Sequence, residues 1–168
     1  MATIVSTETL IVGENHLGKA VFTTKSIKKG EIVTEFQGEI LHKNELPKVY
    51  RKEKDRFLQI SEYLFMGPSG DLDDFINHSC DPNTGLIFTE DGVYLTAIRN
   101  IKKGEEITWD YSTTIMDNHW TMRCRCKTEI CRKIIGDFSK IDRKTQDKYY
   151  KLNIIPKYIK IYMDNQKK

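Results

Sequence analysis

The segment that decides the fold lies near the middle of the chain and reads Phe75-Ile76-Asn77-His78-Ser79-Cys80-Asp81-Pro82-Asn83. Two other parts of the sequence frame it. Upstream stand His16-Leu17-Gly18-Lys19-Ala20-Val21-Phe22, then Ile27-Lys28-Lys29-Gly30-Glu31, then Glu35-Phe36-Gln37-Gly38-Glu39. Downstream stands Ile101-Lys102-Lys103-Gly104-Glu105-Glu106-Ile107-Thr108-Trp109-Asp110-Tyr111, which leads to a group of cysteines. A lone glycine turn or a lone Asp-Tyr pair carries little information, so these segments are interpreted together.

Length and composition indicate one globular domain. The chain has 168 residues, of which 39% are apolar and 30% are charged, close to the averages for globular proteins. The first ten residues lack the basic start and apolar block of a secretory signal, and no apolar run approaches the roughly 20 residues that cross a bilayer. We therefore expect a soluble intracellular protein, cytoplasmic or, in a eukaryote, nuclear, without membrane contact.

The net charge of +3 is unevenly distributed. Residues 139–168 carry nine Lys and Arg against three Asp, so residues 1–138 have a net charge of −3. A basic tail of this kind is typical of a solvated helix face, and the alternative is contact with nucleic acid or an acidic partner. The mildly acidic body would not repel a cationic substrate.

Short β-prone runs separated by glycine turns predict a mainly β structure. These runs are residues 3–12, 19–24, 31–36, 57–66 and 86–98. Residues 43–55 are polar and lack glycine, so they predict a short helix that starts near Pro47.

After Cys131 the pattern becomes helical. Asp137 or Ser139 can cap a helix that runs to about Leu152, and Pro156 suits the first turn of a second helix. Apolar residues recur at helical spacing and predict a stripe that packs back on the sheet: Tyr149, Leu152, Ile155, Ile159 and Tyr162.

The four cysteines predict a metal site. Cys124, Cys126 and Cys131 form a C-x-C-x4-C pattern that presents three thiolates to one tetrahedral ion, and Cys80 is the candidate for the fourth ligand. The alternatives are two disulfides or four unconnected thiols, but a chain without an export signal keeps its thiols reduced. Four protein sulfurs leave no open coordination position, so a bound zinc ion would be structural.

In order and spacing, the three quoted parts and the cysteines resemble the SET-domain protein lysine methyltransferases with a zinc-binding post-SET tail, over residues 10–131. The resemblance implies small sheets around a C-terminal pseudoknot. The predicted organisation is a SET domain in residues 1–116, a post-SET zinc-binding segment in residues 117–135 and a basic helical extension in residues 136–168.

The resemblance also implies a function, which is transfer of a methyl group from S-adenosylmethionine to a lysine side chain of a protein substrate, with S-adenosylhomocysteine as product. Tyr111 is the implied catalytic residue. The implied cofactor-binding residues are Leu17, Gly18, Lys19, Asn77, His78 and Tyr111. The implied lysine channel is formed by Phe36, Trp109 and Tyr111.

The chemistry of methyl transfer is compatible with these residue types. An in-line displacement at a sulfonium needs alignment and a neutral amine, and it needs no nucleophilic side chain or catalytic metal. A lysine amine with a pKa near about 10.4 must lose its proton, which an apolar channel favours. Aromatic walls suit such a channel and attract methylated ammonium groups.

Some positions depart from the family pattern. Ala20 replaces a second glycine, and Asp74 stands where Arg is frequent. Phe36 lacks the hydroxyl that many members carry, and Trp109 is bulkier than the usual Phe or Tyr, so the number of methyl groups transferred stays open.

Two other functions are compatible with the sequence. One is a catalytically silent SET fold that acts as a zinc-stabilised interaction module. The other is a small zinc-knuckle protein that binds nucleic acid through its basic tail, for which affinity would fall steeply with salt. A small amine in place of a protein lysine is a further alternative within the enzymatic function.

Overall fold

The computed structural model describes residues 9–47, 56–116 and 120–166. Within them the chain forms short strands and two helices, as follows: β1 (Leu10–Asn15), β2 (Gly18–Thr23), β3 (Ile32–Phe36), β4 (Ile40–His42), β5 (Leu58–Gln59), β6 (Leu64–Met66), β7 (Asn77–His78), β8 (Thr84–Phe88), β9 (Val93–Ala97), β10 (Thr108–Trp109), β11 (Met122–Arg123), β12 (Ile134–Ile135), α1 (Arg143–Lys151) and α2 (Lys157–Asn165). The predicted fold class, mainly β with short helices and a helical C-terminus, is confirmed.

The strands form several small sheets. Two of these have three strands, in the orders β3-β9-β8 and β4-β6-β5, and the pairs β1-β2 and β11-β12 are antiparallel hairpins. In the β3-β9-β8 sheet, Val33, Leu86 and Leu95 are almost fully buried. All three belong to the main core cluster.

The pair β7-β10 is the exception, because its strands run parallel. Thr108 lies opposite Asn77, and Trp109 lies opposite His78. Parallel neighbours need a long connection between them, which here contains all of β8 and β9. This pairing positions the functional site.

The C-terminal extension contacts strand β8 of the β3-β9-β8 sheet, where the ring of Tyr158 in α2 lies 6.3 Å from that of Phe88. Tyr149, Ile155 and Ile159 of the predicted stripe are buried, and Leu152 and Tyr162 are partly buried beside them. A Cβ atom at Gly85 of β8 would lie only 2.6 Å from Ile154, so glycine there allows the close approach.

The predicted start of the first helix is wrong. Helix α1 begins at Arg143, and its N-cap is Asp142, whose side chain accepts a hydrogen bond from Thr145 N. Asp137 instead caps a short 3-10 turn, Phe138–Lys140. The extended backbone of Ile141 ends that turn, so a second cap is needed before a regular helix forms.

Two predicted elements fall partly outside the described residues. Residues 43–45 form a turn after β4, and residues 48–55, where a helix that starts near Pro47 would lie, are not described. The first predicted strand, 3–12, is observed from Leu10 onward, and residues 3–8 are not described. Neither helix of the described ranges is long and apolar enough to cross a bilayer.

Candidate functional site

The site is built around the parallel pair β7-β10. The backbone N–H of Ser79 donates a hydrogen bond to Trp109 O at 3.0 Å and extends the pairing by one residue. The pairing sets the Asn77-His78 dipeptide beside Asp110-Tyr111, although more than 30 residues separate them in the sequence. The sequence-based expectation that these two stretches meet is confirmed.

His78 is buried at the centre of this arrangement. Its Nδ1 accepts a hydrogen bond from Tyr111 N at 3.2 Å, and its Nε2 lies 3.3 Å from Cys80 Sγ. Burial lowers the pKa of His78 to about 4; the Asp110 carboxylate opposes this shift, and Arg132 adds to it. The ring is therefore neutral at pH 7. Because Nδ1 accepts, the single ring proton is assigned to Nε2, which donates toward the Cys80 sulfur.

An aromatic cavity of about 90 Å³ opens on one side of the pair. Trp109 lies between two other rings, with its centroid 4.7 Å from that of Tyr111 and 6.0 Å from that of Phe36. The Tyr111 hydroxyl donates to Ile76 O at 2.8 Å. Burial raises the pKa of Tyr111, and the Glu106 carboxylate raises it further, so the hydroxyl stays protonated at neutral pH.

Two carboxylates lie in the wall of the same cavity. Asp73 accepts hydrogen bonds from Ser69 Oγ at 2.6 Å and from Gln37 N at 3.2 Å. Burial raises the pKa of Asp73 despite these donors, and the charge of Asp74 adds to the shift. Asp74 lies 4.0 Å from the Arg56 guanidinium. The cavity is thus apolar at its aromatic rings and polar where Asp73, Asp74 and Arg56 line it.

A second, polar cavity of about 220 Å³ borders the other end of the pair. Its lining includes Asn15, His16, Leu17, His78, Ser79, Glu106, Thr108 and Cys126. Gly18, at φ +107°, shapes the β1-β2 turn at this cavity, because residues with a Cβ rarely adopt that conformation.

Glu106 organises the polar side chains of this cavity. Asn15 Nδ2 lies 2.8 Å from each of its carboxylate oxygens, and Asn77 Nδ2 donates to Oε1 at 3.0 Å. Asn77 Nδ2 also lies 3.1 Å from Lys19 O. One carboxylate therefore orients two amides and connects β7 to the β1-β2 turn.

All four cysteines converge on one point. The sulfur atoms of Cys80, Cys124, Cys126 and Cys131 lie within 4.8 Å of one another, and none forms a disulfide. Tetrahedral zinc with Zn–S bonds of about 2.3 Å needs sulfurs about 3.8 Å apart, and Cys80 Sγ and Cys124 Sγ are 3.7 Å apart. The donor set therefore fits zinc, and the N–H groups of His78 and Arg132 directed at Cys80 suit a ligating thiolate.

A buried ion pair joins this cluster to β10. Arg132, next to Cys131, donates from both terminal nitrogens to the two oxygens of Asp110, each at 2.6 Å. Its backbone N–H lies 3.4 Å from Cys80 Sγ. Tyr149 of α1 donates to the same carboxylate at 2.9 Å. One carboxylate thus contacts the cysteine-bearing segment and the C-terminal extension.

Comparison with known proteins identifies the family. Residues 18–112 match the family model described as "SET domain". The chain belongs to the SET-domain family. It is 36% identical over 130 residues to the "Variant-silencing SET domain-containing protein" of Plasmodium falciparum, and the match covers 68% of this chain and 5% of that protein. It is 30% identical over 142 residues to the "Probable histone-lysine N-methyltransferase set-23" of Caenorhabditis briggsae, covering 74% of this chain and 59% of that one.

The fold is likewise that of a SET domain. A crystal structure of KRYPTONITE in complex with mCHH DNA, an H3(1-15) peptide and SAH superposes with a TM-score of 0.60, at 23% sequence identity, over 74% of this chain and 29% of that chain. The predicted fold family is confirmed. This SET-domain chain spans 5% of the length of the Plasmodium falciparum relative and 59% of the length of the Caenorhabditis briggsae relative.

The site residues predicted for this SET domain lie around the two cavities. Trp109, Tyr111 and Phe36 line the aromatic cavity, and Leu17 and His78 line the polar one. Gly18, Lys19 and Asn77 adjoin the polar cavity through the β1-β2 turn and the Asn77–Lys19 hydrogen bond.

Other residues of the site escaped sequence reasoning. Glu106 lies within the quoted downstream segment, and a carboxylate inside that segment is the signal that could have identified it. Asn15, Asp73 and Arg132 carry no local pattern that marks them. The spacing of Tyr149 places it in the apolar stripe and gives no sign of the contact between its hydroxyl and Asp110.

Proposed function

We propose that this chain transfers a methyl group from S-adenosylmethionine to the side-chain amine of a lysine in a protein. The observation that most supports this function is that an aromatic cavity and a polar cavity share one parallel strand pair. An enzyme that transfers a methyl group from a cationic cofactor to an amine needs one compartment for each reactant, and the two compartments must meet. The name of the Caenorhabditis briggsae relative points to the same reaction class.

The polar cavity suits the cofactor. The β1-β2 turn, with Leu17, Gly18 and Lys19, lies beside this cavity, and Gly18 has no side chain to block the approach of a ligand. Asn77 offers an amide that Glu106 holds in place. The ring of His78 is occupied by Tyr111 and Cys80, so we assign its contribution to its backbone and to the packing of the cavity wall.

The aromatic cavity suits the lysine. Phe36, Trp109 and Tyr111 would surround its hydrocarbon stem and exclude water from the amine. A low-polarity environment disfavours the ammonium form, so the amine more readily releases its proton before the transfer. The same ring faces attract a partly methylated ammonium.

When bound, S-adenosylmethionine supplies the methyl group on a positively charged sulfur. We assign Tyr111 the task of aligning the amine with that methyl group, so that the N–C bond forms opposite the breaking C–S bond. Its hydroxyl is protonated and fixed by Ile76 O, and its backbone N–H is fixed by His78. Alignment by such a rigid side chain lowers the entropic part of the barrier.

We further propose that zinc holds the four cysteines together in a structural role. Cys80 follows β7, Cys126 lines the polar cavity, and Cys131 adjoins Arg132. A metal bound by these sulfurs would fix the C-terminal part of the cofactor site. The four thiolates occupy every position of a tetrahedral ion, which leaves none for a substrate.

The test is transfer of methyl-labelled S-adenosylmethionine. The chain is incubated with a cell extract and, separately, with histone H3 tail peptides, and modified residues are identified by mass spectrometry. Label on lysine side chains supports the proposal. Cofactor binding by calorimetry without any transfer would indicate the silent interaction module, and labelling of small amines alone would indicate a different substrate class.

A further inference from the structure

The hydroxyl group of Tyr149 connects the C-terminal extension to Asp110, the residue before Tyr111. Tyr149, on α1, is fully buried, and its hydroxyl donates to Asp110 Oδ2 at 2.9 Å. The Asp110 side chain has no exposed surface. A buried carboxylate needs hydrogen-bond donors, and the hydroxyl of Tyr149, from 39 residues away, is a second donor to Oδ2 beside Arg132.

Asp110 contacts both the short turn that carries Tyr111 and the segment that carries Cys131. It directly precedes Tyr111, and its Oδ1 accepts from Ser112 N at 3.1 Å, which shapes the short 3-10 turn that carries Tyr111. Both of its oxygens also accept from Arg132. A change in the orientation of this carboxylate therefore acts in two directions, toward Tyr111 and toward the segment with Cys131.

Tyr149 is held rigidly enough to act as a fixed point. Asp142 caps the first turn of α1, and the buried Gln146 side chain donates to Phe138 O at 3.2 Å and to Ile141 O at 2.9 Å. The helix therefore has a fixed position relative to the residues before it. Arg132, whose guanidinium also donates to Ser112 Oγ at 3.2 Å, holds the carboxylate from the side of the cysteine-bearing segment. Tyr149 holds it from the side of the C-terminal extension.

We propose that Tyr149 is a positioning residue for methyl transfer, which fixes the Asp110 carboxylate and thereby the places of Tyr111 and of the Arg132 segment. The inference rests on the proposed function, and it gives the C-terminal extension a role in turnover beyond core packing. Tyr149 touches neither cavity, and it acts through Asp110.

The decisive variant is Tyr149→Phe, which keeps the buried ring and removes only the donor. The matched control is Tyr162→Phe on α2, which removes a hydroxyl that donates to a carboxylate oxygen of the buried Asp137 at 3.1 Å. Both variants lose one tyrosine–carboxylate hydrogen bond of the same extension. We expect kcat to fall about tenfold in Tyr149→Phe with the peptide KM within about twofold, because misalignment acts on the transition state. The control should keep the wild-type kcat.

Zinc release gives a readout that is independent of turnover. The release rate, followed with a chromophoric chelator, should rise several-fold in Tyr149→Phe and stay unchanged in Tyr162→Phe. If the Tyr149 hydroxyl had only a structural role, each variant would have a lower melting temperature than the wild type. The kcat values and the zinc-release rates would then be alike in the two variants. That result would overturn the inference.

A double-mutant cycle tests whether the effect of Tyr149 on turnover depends on Arg132. If Tyr149 acts through Asp110 and Arg132, the effect of Tyr149→Phe on kcat shrinks in an Arg132→Lys background; additive effects would contradict the inference. A wild-type protein that transfers no methyl group would overturn the proposed function instead, and the zinc-release comparison would then decide whether Tyr149 positions the Arg132 segment.

Discussion

The backbone N–H of Tyr111 donates a hydrogen bond to Nδ1 of the buried His78 at 3.2 Å. This contact joins the two compartments of the site, because Tyr111 lines the aromatic cavity and His78 lines the polar one. It also decides the tautomer of His78, which directs Nε2–H at Cys80. Alignment at the aromatic cavity is therefore linked through one imidazole to the cysteine cluster.

Replacing Tyr111 with Phe should lower kcat by about 100-fold, because the amine loses the hydroxyl that aligns it. The ring contacts with Trp109 and the backbone hydrogen bond to His78 do not involve that hydroxyl. Cofactor affinity, measured by calorimetry, should therefore stay within about twofold of the wild type. Tyr162→Phe, whose hydroxyl contacts Asp137, serves as the control. Unchanged turnover would remove Tyr111 from the mechanism.

Only part of this site is accessible from sequence. Strands β7 and β10 have two residues each, which is too short to show an alternation of apolar and polar side chains. The expectation that they meet follows from the family resemblance alone. The cysteine spacing, in contrast, predicted the convergence of all four sulfurs from simple counting.

The contacts that sequence reasoning missed are long-range side-chain hydrogen bonds. Tyr149 lies 39 residues from Asp110, and Asn15 lies 91 residues from Glu106. Helical periodicity placed Tyr149 correctly in the buried stripe, because burial follows the spacing of apolar residues. Spacing contains no information on which polar atom a buried hydroxyl meets.

Replacing Cys126 with Ser should release zinc and weaken cofactor binding together. The variant leaves three thiolates, and Cys126 also lines the polar cavity. We expect zinc content, measured by mass spectrometry of the native protein, to fall well below one ion per chain, and the melting temperature to fall with it. A full zinc content with wild-type stability would show that these sulfurs do not form the metal site.

Replacing Glu106 with Gln should weaken cofactor binding about tenfold. Glu106 accepts hydrogen bonds from the amides of Asn15 and Asn77, and a glutamine would direct its own NH₂ group at one of these donors. The affinity is measured by calorimetry. Glu14→Gln, an exposed residue of β1, removes the same charge near Asn15 and should change affinity less than twofold. Equal losses in both variants would indicate a general charge effect.

Replacing Asp73 with Asn should change how stability depends on pH. Burial raises the pKa of Asp73 in the folded protein above its ordinary value, so folding favours the protonated carboxyl. Its contribution to stability is fully present below the unfolded pKa of about 3.9 and is lost as pH rises through the higher folded pKa. Asparagine does not ionise and keeps an acceptor for Gln37 N.

The free energy of unfolding of the wild type, minus that of Asp73→Asn, should therefore decrease as the pH rises from about 3.5 to 7. Urea titrations of both proteins across this range measure the difference. Any loss of bound zinc at low pH would destabilise both proteins alike and would cancel in the subtraction. A difference that rises with pH would mean that Asp73 is stabilised as a carboxylate, because its donors Ser69 and Gln37 would then outweigh its burial.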